Sequence, residues 1–318
     1  MNILITSAGR QVFLVKEFKK ALNRKGKVFS SDLNGNAAAL KVSDKGFASP
    51  PFTDPNYIEW ILEICALYQV HLLVSLNVDD LMILENQRNK LEKNKIFLVG
   101  GSTETIRETH DKYALSRFCS KIGLYTPSTY LVDEISNQRF EFPILAKPRF
   151  GKGSRGHINI HDESELNYFM SNLPEDNDYV LQEFLPGQEY GIDIVNDFDH
   201  KFAGVLARKK LKMKNGETYE AITDTPTEWI QLASILSLNI NHQGTIDVDI
   251  ILYEGMKYVI DINHRFGGGY IFNHVSGANV PKAYVEWFNT KKNTNVISNY
   301  LSYQTGIHSK RSNIDAAL

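Results

Sequence analysis

From Met1 to about residue 100, short apolar runs alternate with longer segments whose apolar residues recur every three to four positions. The runs NILIT, KVFSSD, HLLVS and KIFLVG read as strands, and QVFLVKEFKKALNRKG, NYIEWILEICALYQ and DDLMILENQRNKLEKN read as amphipathic helices. Strands alternating with helices predict an α/β, Rossmann-like parallel sheet wound on both faces. Ligands gather at the carboxyl ends of such strands, here the loops TSAGR (6–10), SDLNGN (31–36) and SLNVDD (75–80). Only Gly9 stands where a dinucleotide fingerprint requires three glycines, so no NAD site is expected.

After Gly100 and Gly101 the pattern changes to α+β with antiparallel sheets. STETIRETHDKYALSRFCSKIGL reads as one or two helices with Ser102 and Asp111 as caps. Strands joined by glycine-containing turns follow: FPILAKP, GHINIH, YVLQEFLPGQEYGIDIV, KFAGVLAR and TIDVDIILYEGMKYVIDIN. Two helices interrupt them, DESELNYFM, capped by Asp162 with Glu165, and TEWIQLASILSLN. The polar end, YQTGIHSKRSNIDAAL, is expected to be a loosely packed terminus.

Composition narrows the function without naming it. The 318 residues are 42% hydrophobic and 23% charged, enough for a sizeable core and more than one module. With 35 basic against 37 acidic residues, there is no general electrostatic reason to bind nucleic acid or a membrane surface. Cys65 and Cys119 are expected to be buried free thiols. The start MNILITS lacks a signal-peptide pattern and no apolar run approaches ~18 residues, so a cytoplasmic protein is expected.

Three stretches carry candidate chemistry. In GTIDVDIILYEGMKYVIDIN, a three-residue turn at Glu254, Gly255 and Met256 would pair Tyr253 with Lys257 and set Asp249 opposite Asp261. The even positions Ile246, Val248, Ile250, Leu252, Tyr258, Ile260 and Ile262 would then face the core, leaving Asp247, Asp249, Asp261 and Asn263 on the other face. Carboxylates opposed at ~5 Å call for a cation, and two of them with an amide oxygen suit Mg²⁺ or Mn²⁺. The alternative is a solvated face of a one-sided sheet. In ILAKPRFGKGSRGHINI, Lys147 ends a strand, and Gly151, Gly153, Ser154 and Gly156 with Lys152 and Arg155 form a loop able to close over polyphosphate, or else a flexible connection. In YVLQEFLPGQEYGIDIV, Glu183 and Glu189 flank Leu185-Pro186-Gly187, which by itself reads as a tight hairpin.

Taken in order, Lys112 in HDKYALS, Lys147 before the glycine loop, Glu183 before a turn, and then Asp249, Asp261 and Asn263 resemble the ATP-grasp superfamily. The likeness is to single-unit carbamoyl-phosphate-synthase-like members, and it runs from NILITSAGR through DINHRFGGG. It implies a pre-ATP-grasp domain over residues 1–108 and an ATP-grasp domain over 109–318, with a lid subdomain at about 125–187. It further implies that Lys112 and Lys147 hold nucleotide phosphates, that 150–156 closes over them, and that Glu183 and the backbone near Leu185 recognise adenine, with Glu189 near the ribose. Asp249, Asp261 and Asn263 match metal-ligand positions, and Arg265 matches a cation near the transferred phosphoryl or acyl group. Asp261 departs from the usual Glu and is one methylene shorter. Arg208, ending the strand FAGVLAR, is expected to reach phosphate, and the lysines at 209, 210, 212 and 214 to lie in a solvated turn. The triple glycine, Gly267 to Gly269, would let backbone amides approach an acyl substrate, or would serve a loop needing positive φ. His264 and His274 read as supporting groups rather than zinc ligands, and Arg10 as a second anion contact across the domain cleft.

The resemblance implies an ATP- and Mg²⁺-dependent ligase for small-molecule carboxylate and amine substrates, releasing ADP and phosphate, with a homodimer as a possible assembly. A nucleotide-binding protein without turnover and a phosphotransferase that releases the phosphorylated product are the alternatives.

Overall fold

A computed structural model describes residues 1–135, 138–151, 153, 155–173, 178–214, 216–290 and 299–312. The N-terminal part runs β1 (Asn2–Thr6), α1 (Val12–Leu22), β2 (Val28–Asp32), α2 (Ala38–Val42), β3 (Lys45–Ala48), α3 (Tyr57–Leu67), β4 (Val70–Ser75), α4 (Val78–Glu85), α5 (Arg88–Lys93) and β5 (Phe97–Val99). Its sheet is parallel in the order β3-β2-β1-β4-β5, with Ile3, Leu4 and Ile5 of β1 wholly buried between the flanking helices. Neither β3 nor α2 is apparent in the apolar pattern, because KGFA is a short, half-exposed edge strand.

Two helices follow, α6 (Thr103–His110) and α7 (Lys112–Lys121). Ser102 Oγ accepts from the Thr105 amide and Asp111 Oδ1 from those of Tyr113 and Ala114, so both expected caps form. The chain then builds β6 (Thr129–Leu131), β7 (Ile144–Pro148), β8 (Ile158–Ile160), α8 (Glu163–Ser171) and β9 (Tyr179–Glu183), whose strands form an antiparallel sheet in the order β6-β9-β7-β8. Six more strands form the largest sheet, order β14-β13-β10-β11-β12-β15. They are β10 (Gln188–Asn196), β11 (Phe202–Lys214), β12 (Glu217–Asp224), β13 (Gly244–Tyr253), β14 (Met256–Asn263) and β15 (His308–Lys310). α9 (Ile230–Ile240) precedes β13, and α10 (Tyr270–Val275) and α11 (Val280–Thr290) follow β14. Among the described residues no helix is long and apolar enough to cross a membrane.

Four expectations need correction. First, β9 and β10 belong to different sheets, so 184–187 links two sheets and is not a hairpin turn. Second, β11 continues to Lys214, which puts Arg208 and Lys210 inside a strand rather than at its end or in a turn. Third, the polar end is not loose through residue 311: β15 pairs with β12, and Arg311 bonds to both Glu217 and Gly268.

The fourth concerns the β13–β14 hairpin. Its turn has two residues, Glu254 and Gly255, both at positive φ, and Tyr253 pairs with Met256. A one-residue bulge at Ile260 then restores Asp249 opposite Asp261. The shorter turn and the bulge cancel, so the acidic pairing is as read while the core face changes. Val259, opposite Ile250, is buried where Tyr258 and Ile260 were expected.

The N-terminal sheet and the C-terminal helices share one core. Phe18 of α1 meets the rings of Phe266 and Tyr284, at 6.0 Å between centroids in each case. A second core packs α7 and α9 against β10, β11, β13 and β14. The acidic face of β13–β14 therefore rests on a rigid sheet.

Candidate active site

One side of the site is cationic. Asp111 caps α7 and forks onto Arg149 just beyond β7, with Oδ1 to Nε at 2.9 Å and Oδ2 to Nη2 at 2.6 Å. This pins the first turn of α7 to the end of β7, and so brings Lys112 near Lys147. Lys112 Nζ donates to the Gly151 carbonyl at 3.0 Å. Lys147 is buried, and its pKa is pushed down to about 8 by burial and by Lys112, with Asp261 and Asp249 opposing. Among the described residues no carboxylate pairs with either lysine. Gly153 and Gly156 adopt positive φ in the loop, while Lys152 and Ser154 lie outside the described residues.

His157 was not singled out in the sequence. The pairing of Ala146 with Ile158 places it beside Lys147 on the same face, and burial with the two lysines pushes its pKa down to about 4. The register of β7 with β8, which apolar spacing does not fix, is what brings it there.

The opposite side is acidic but already carries cations. Lys210 Nζ bonds Asp249 Oδ1 at 2.7 Å and lies 3.7 Å from Glu189. Burial pushes the Asp249 pKa up, as do Asp247 and Asp261, with Lys210 opposing. Arg208 is wholly buried: Nη1 bonds Asp193 at 2.5 Å and Nη2 bonds Asp247 at 2.8 Å. Burial drives the Asp193 carboxyl upward against the pull of Arg208. Gly191 leaves room for the guanidinium, since a Cβ there would stand 3.0 Å from Nη2. The sequence reading missed Asp193 and Lys210. Asp193 alternates with apolar residues inside β10, a pattern that marks a face but not its partner, and Lys210 stands between Lys209 and Leu211 in a run of cations. Asn263 Nδ2 lies 3.3 Å from Asp261 Oδ2.

Arg265 Nη1 bonds Asp247 Oδ2 at 3.3 Å and the Phe266 carbonyl at 2.9 Å. The glycines beyond it have ordinary φ, and what they supply is closeness. A Cβ on Gly267 would stand 2.2 Å from Asp247 Oδ1, and one on Gly269 2.1 Å from Arg208 Nε. Only Gly268 is open, with Arg311 as its nearest neighbour at 3.6 Å.

At the far end, Glu183 Oε2 accepts from the Ser128 amide at 3.1 Å, Leu185 is buried and Glu189 is half-exposed. His264 bonds Thr109 at 2.8 Å, and His274 bonds Glu17 at 3.1 Å and Tyr270 at 2.9 Å. In the N-terminal part Asp80 is wholly buried rather than in the cleft. It accepts from Thr6, Ser7, Tyr57 and Ser75 at 2.6 to 2.9 Å, fixing the loop that presents Arg10.

These donors suit a polyphosphate with a hard cation. Two ammonium groups without carboxylate partners among the described residues face two carboxylates and an amide oxygen. Among the described residues no three His, Cys, Asp or Glu side chains cluster as a complete metal cage. A set of two acids is the kind that leaves the rest of the shell to water and phosphate.

Comparison with known proteins gives two family matches: the PylC-like N-terminal domain over residues 3–99 and the ATP-grasp domain over residues 109–269. The large chain of carbamoyl phosphate synthase from Clostridium beijerinckii is 24% identical over 195 residues, 56% of this chain and 18% of that one. The chain thus spans less than a fifth of that relative's length. Among solved structures, L-amino acid ligase from Bacillus licheniformis superposes with a TM-score of 0.70 at 17% identity, covering 96% of this chain and 77% of that one. The ADP complex of N5-carboxyaminoimidazole ribonucleotide synthetase gives 0.72 at 16% identity, with coverages of 90% and 76%. At these identities the structures establish the fold.

Proposed function

The chain belongs to the ATP-grasp superfamily, and from that premise we propose that it is an ATP-dependent ligase that activates a carboxylate as an acyl phosphate for attack by an amine. The observation that carries this reading is the lysine pair, Lys112 and Lys147, left without carboxylate partners among the described residues and beside Asp249 and Asp261. In this reading residues 1–108 and 109–318 are the two domains, with a lid at about 125–187.

Asp249, Asp261 and Asn263 would hold Mg²⁺, which supplies charge neutralisation on phosphate oxygens. Lys112 and Lys147 bind the phosphates, and the loop at 150–156 covers them and excludes water. Glu183, the backbone near Leu185, and Glu189 hold the nucleoside. Arg265 orients the acid's carboxylate through its planar fork. One carboxylate oxygen bonds the terminal phosphorus as the bond to ADP breaks. The amine then attacks the acyl carbon, phosphate leaves, and the amine gives up a proton. Arg208 acts behind this line by fixing Asp247, which in turn holds Arg265. A reaction that consumes ATP suits a cytoplasmic location.

The test is ADP release with MgATP over a panel of acids, each with and without amines, for wild type and Asp261→Ala. Release that needs both substrates and disappears in the variant is the expected result. Release with acid alone and a stable phosphorylated product would mean a phosphotransferase, and nucleotide binding without turnover on any acid would mean a binding module.

A further inference from the structure

Between the start of α1 and the triple glycine lies a cavity of about 420 Å³, within the size range of small-molecule sites. Gly267 and Gly268 line it, two and three residues beyond Arg265, and Phe13 and Tyr270 form part of its apolar wall. Among the described residues its lining sets two guanidinium groups, Arg10 and Arg311, against the one carboxylate of Glu217, an excess of positive charge between them. Such an excess in a concave site favours an anionic occupant.

The charges come from three remote segments. Arg10 follows β1, Glu217 opens β12, and Arg311 follows β15. Glu217 is shared between the two arginines, with Oε1 at 2.8 Å from Arg10 Nη2 and Oε2 at 3.4 Å from Arg311 Nη1. Arg311 Nη2 donates to the Gly268 carbonyl, and its Nε is buried without a partner. One carboxylate therefore serves two forks, each of which matches an anion bidentately. The Arg10 side chain is 79% exposed, so its pairing with Glu217 is a weak, solvated one that a ligand can displace.

We infer that the acid substrate carries a second anionic group, a carboxylate or a phosphate, held between Arg10 and Arg311, with Glu217 occupying their forks in its absence. This rests on the ligase reading above and names the substrate class of that site: a small dianionic acid whose reacting carboxylate lies toward Arg265.

Two readouts separate this inference from its premise. Without nucleotide, the thermal midpoint is followed against aspartate and glutamate, against phosphoserine, and against alanine and leucine. The expected result is saturable stabilisation by dianions only, with the stronger of the first two arms identifying carboxylate or phosphate. Arg10→Gln should weaken dianion binding about tenfold or more, and Glu217→Gln should tighten it. Arg10 is exposed, so its variant tests the site without endangering the fold; Arg311→Gln should repeat the effect. With MgATP and an amine, Arg10→Gln should raise KM for the dianion at nearly constant kcat. Equal binding of monoanions, no binding of any acid, or dianion affinity unaltered by Arg10→Gln overturns the inference. Arg10-dependent dianion binding without ADP release would sink the ligase reading and leave the anion site. ADP release supported by monocarboxylates alone would do the reverse.

Discussion

Lys210 bonds Asp249 at 2.7 Å from the interior of β11, so the cation that the opposed carboxylates call for is partly supplied by the protein itself. Removing it leaves Asp249 facing Asp261 and Asp247 without a partner. Lys210→Met is expected to cost about 2 kcal/mol, below the ~3–5 kcal/mol of a fully buried pair because water reaches 27% of the Asp249 side chain. Adding Asp249→Asn should recover most of the loss. Chemical denaturation of wild type and both variants, with and without Mg²⁺, checks this, and Lys210→Met should gain more from Mg²⁺ than wild type does. Unchanged stability in the single variant would show that Lys210 is a bystander.

The triple glycine divides by contact. Alanine at Gly269 would press on Arg208 and at Gly267 on Asp247, both parts of a buried ion pair unable to retreat. Each substitution should cost about 1–3 kcal/mol. Alanine at Gly268 meets only ordinary contact and should stay within about 0.5 kcal/mol. Thermal melts rank the three, and a Gly268 variant as damaged as its neighbours would contradict this account.

The sequence made legible what periodicity and caps encode. The parallel sheet and the Ser102 and Asp111 caps follow from apolar spacing and local hydrogen bonding, whereas Asp249 stands opposite Asp261 as read only because the shorter turn and the bulge cancel. Long-range partners were not legible. Nothing in FAGVLARKKLKMK distinguishes Lys210, drawn inward by Asp249, from exposed Lys212 and Lys214. The bulge at Ile260 has no glycine or proline to announce it, so nothing in the sequence marks the exchange of Val259 for Ile260 on the core face. Arg311 likewise looks like part of a polar tail until β15 brings it to Glu217.

Two buried histidines predict how stability responds to acid. Burial holds the pKa of His242 down to about 4 and that of His264 to about 3, against an ordinary 6.5. Below pH 6.5 the unfolded chain therefore binds protons that the folded chain refuses. Their contribution is complete above pH 6.5 and is lost as pH falls toward 4, at up to about 1.4 kcal/mol per pH unit for each. Denaturation from pH 7 to 4 should show this slope, and His242→Gln should reduce it by roughly half of the two-histidine share. An equal slope in that variant would mean that His242 is protonated in the folded state.

Lys147 gives the nucleotide reading its own pH signature. Its pKa is lowered to about 8, first by burial and then by Lys112. Above pH 8 the free protein carries it neutral, whereas a bound polyphosphate favours the ammonium and raises its pKa again. Binding must then be accompanied by proton uptake. Affinity for ADP should fall as pH rises above about 8, approaching tenfold per unit until the pKa of the bound state is reached. Lys147→Arg, charged throughout, should flatten the dependence even if it binds more weakly, because a guanidinium does not titrate in this range. Calorimetry in two buffers of different ionisation enthalpy measures the proton directly. Affinity constant from pH 7 to 10 with no proton taken up would remove Lys147 from the phosphate site, and with it the observation on which the ligase reading stands.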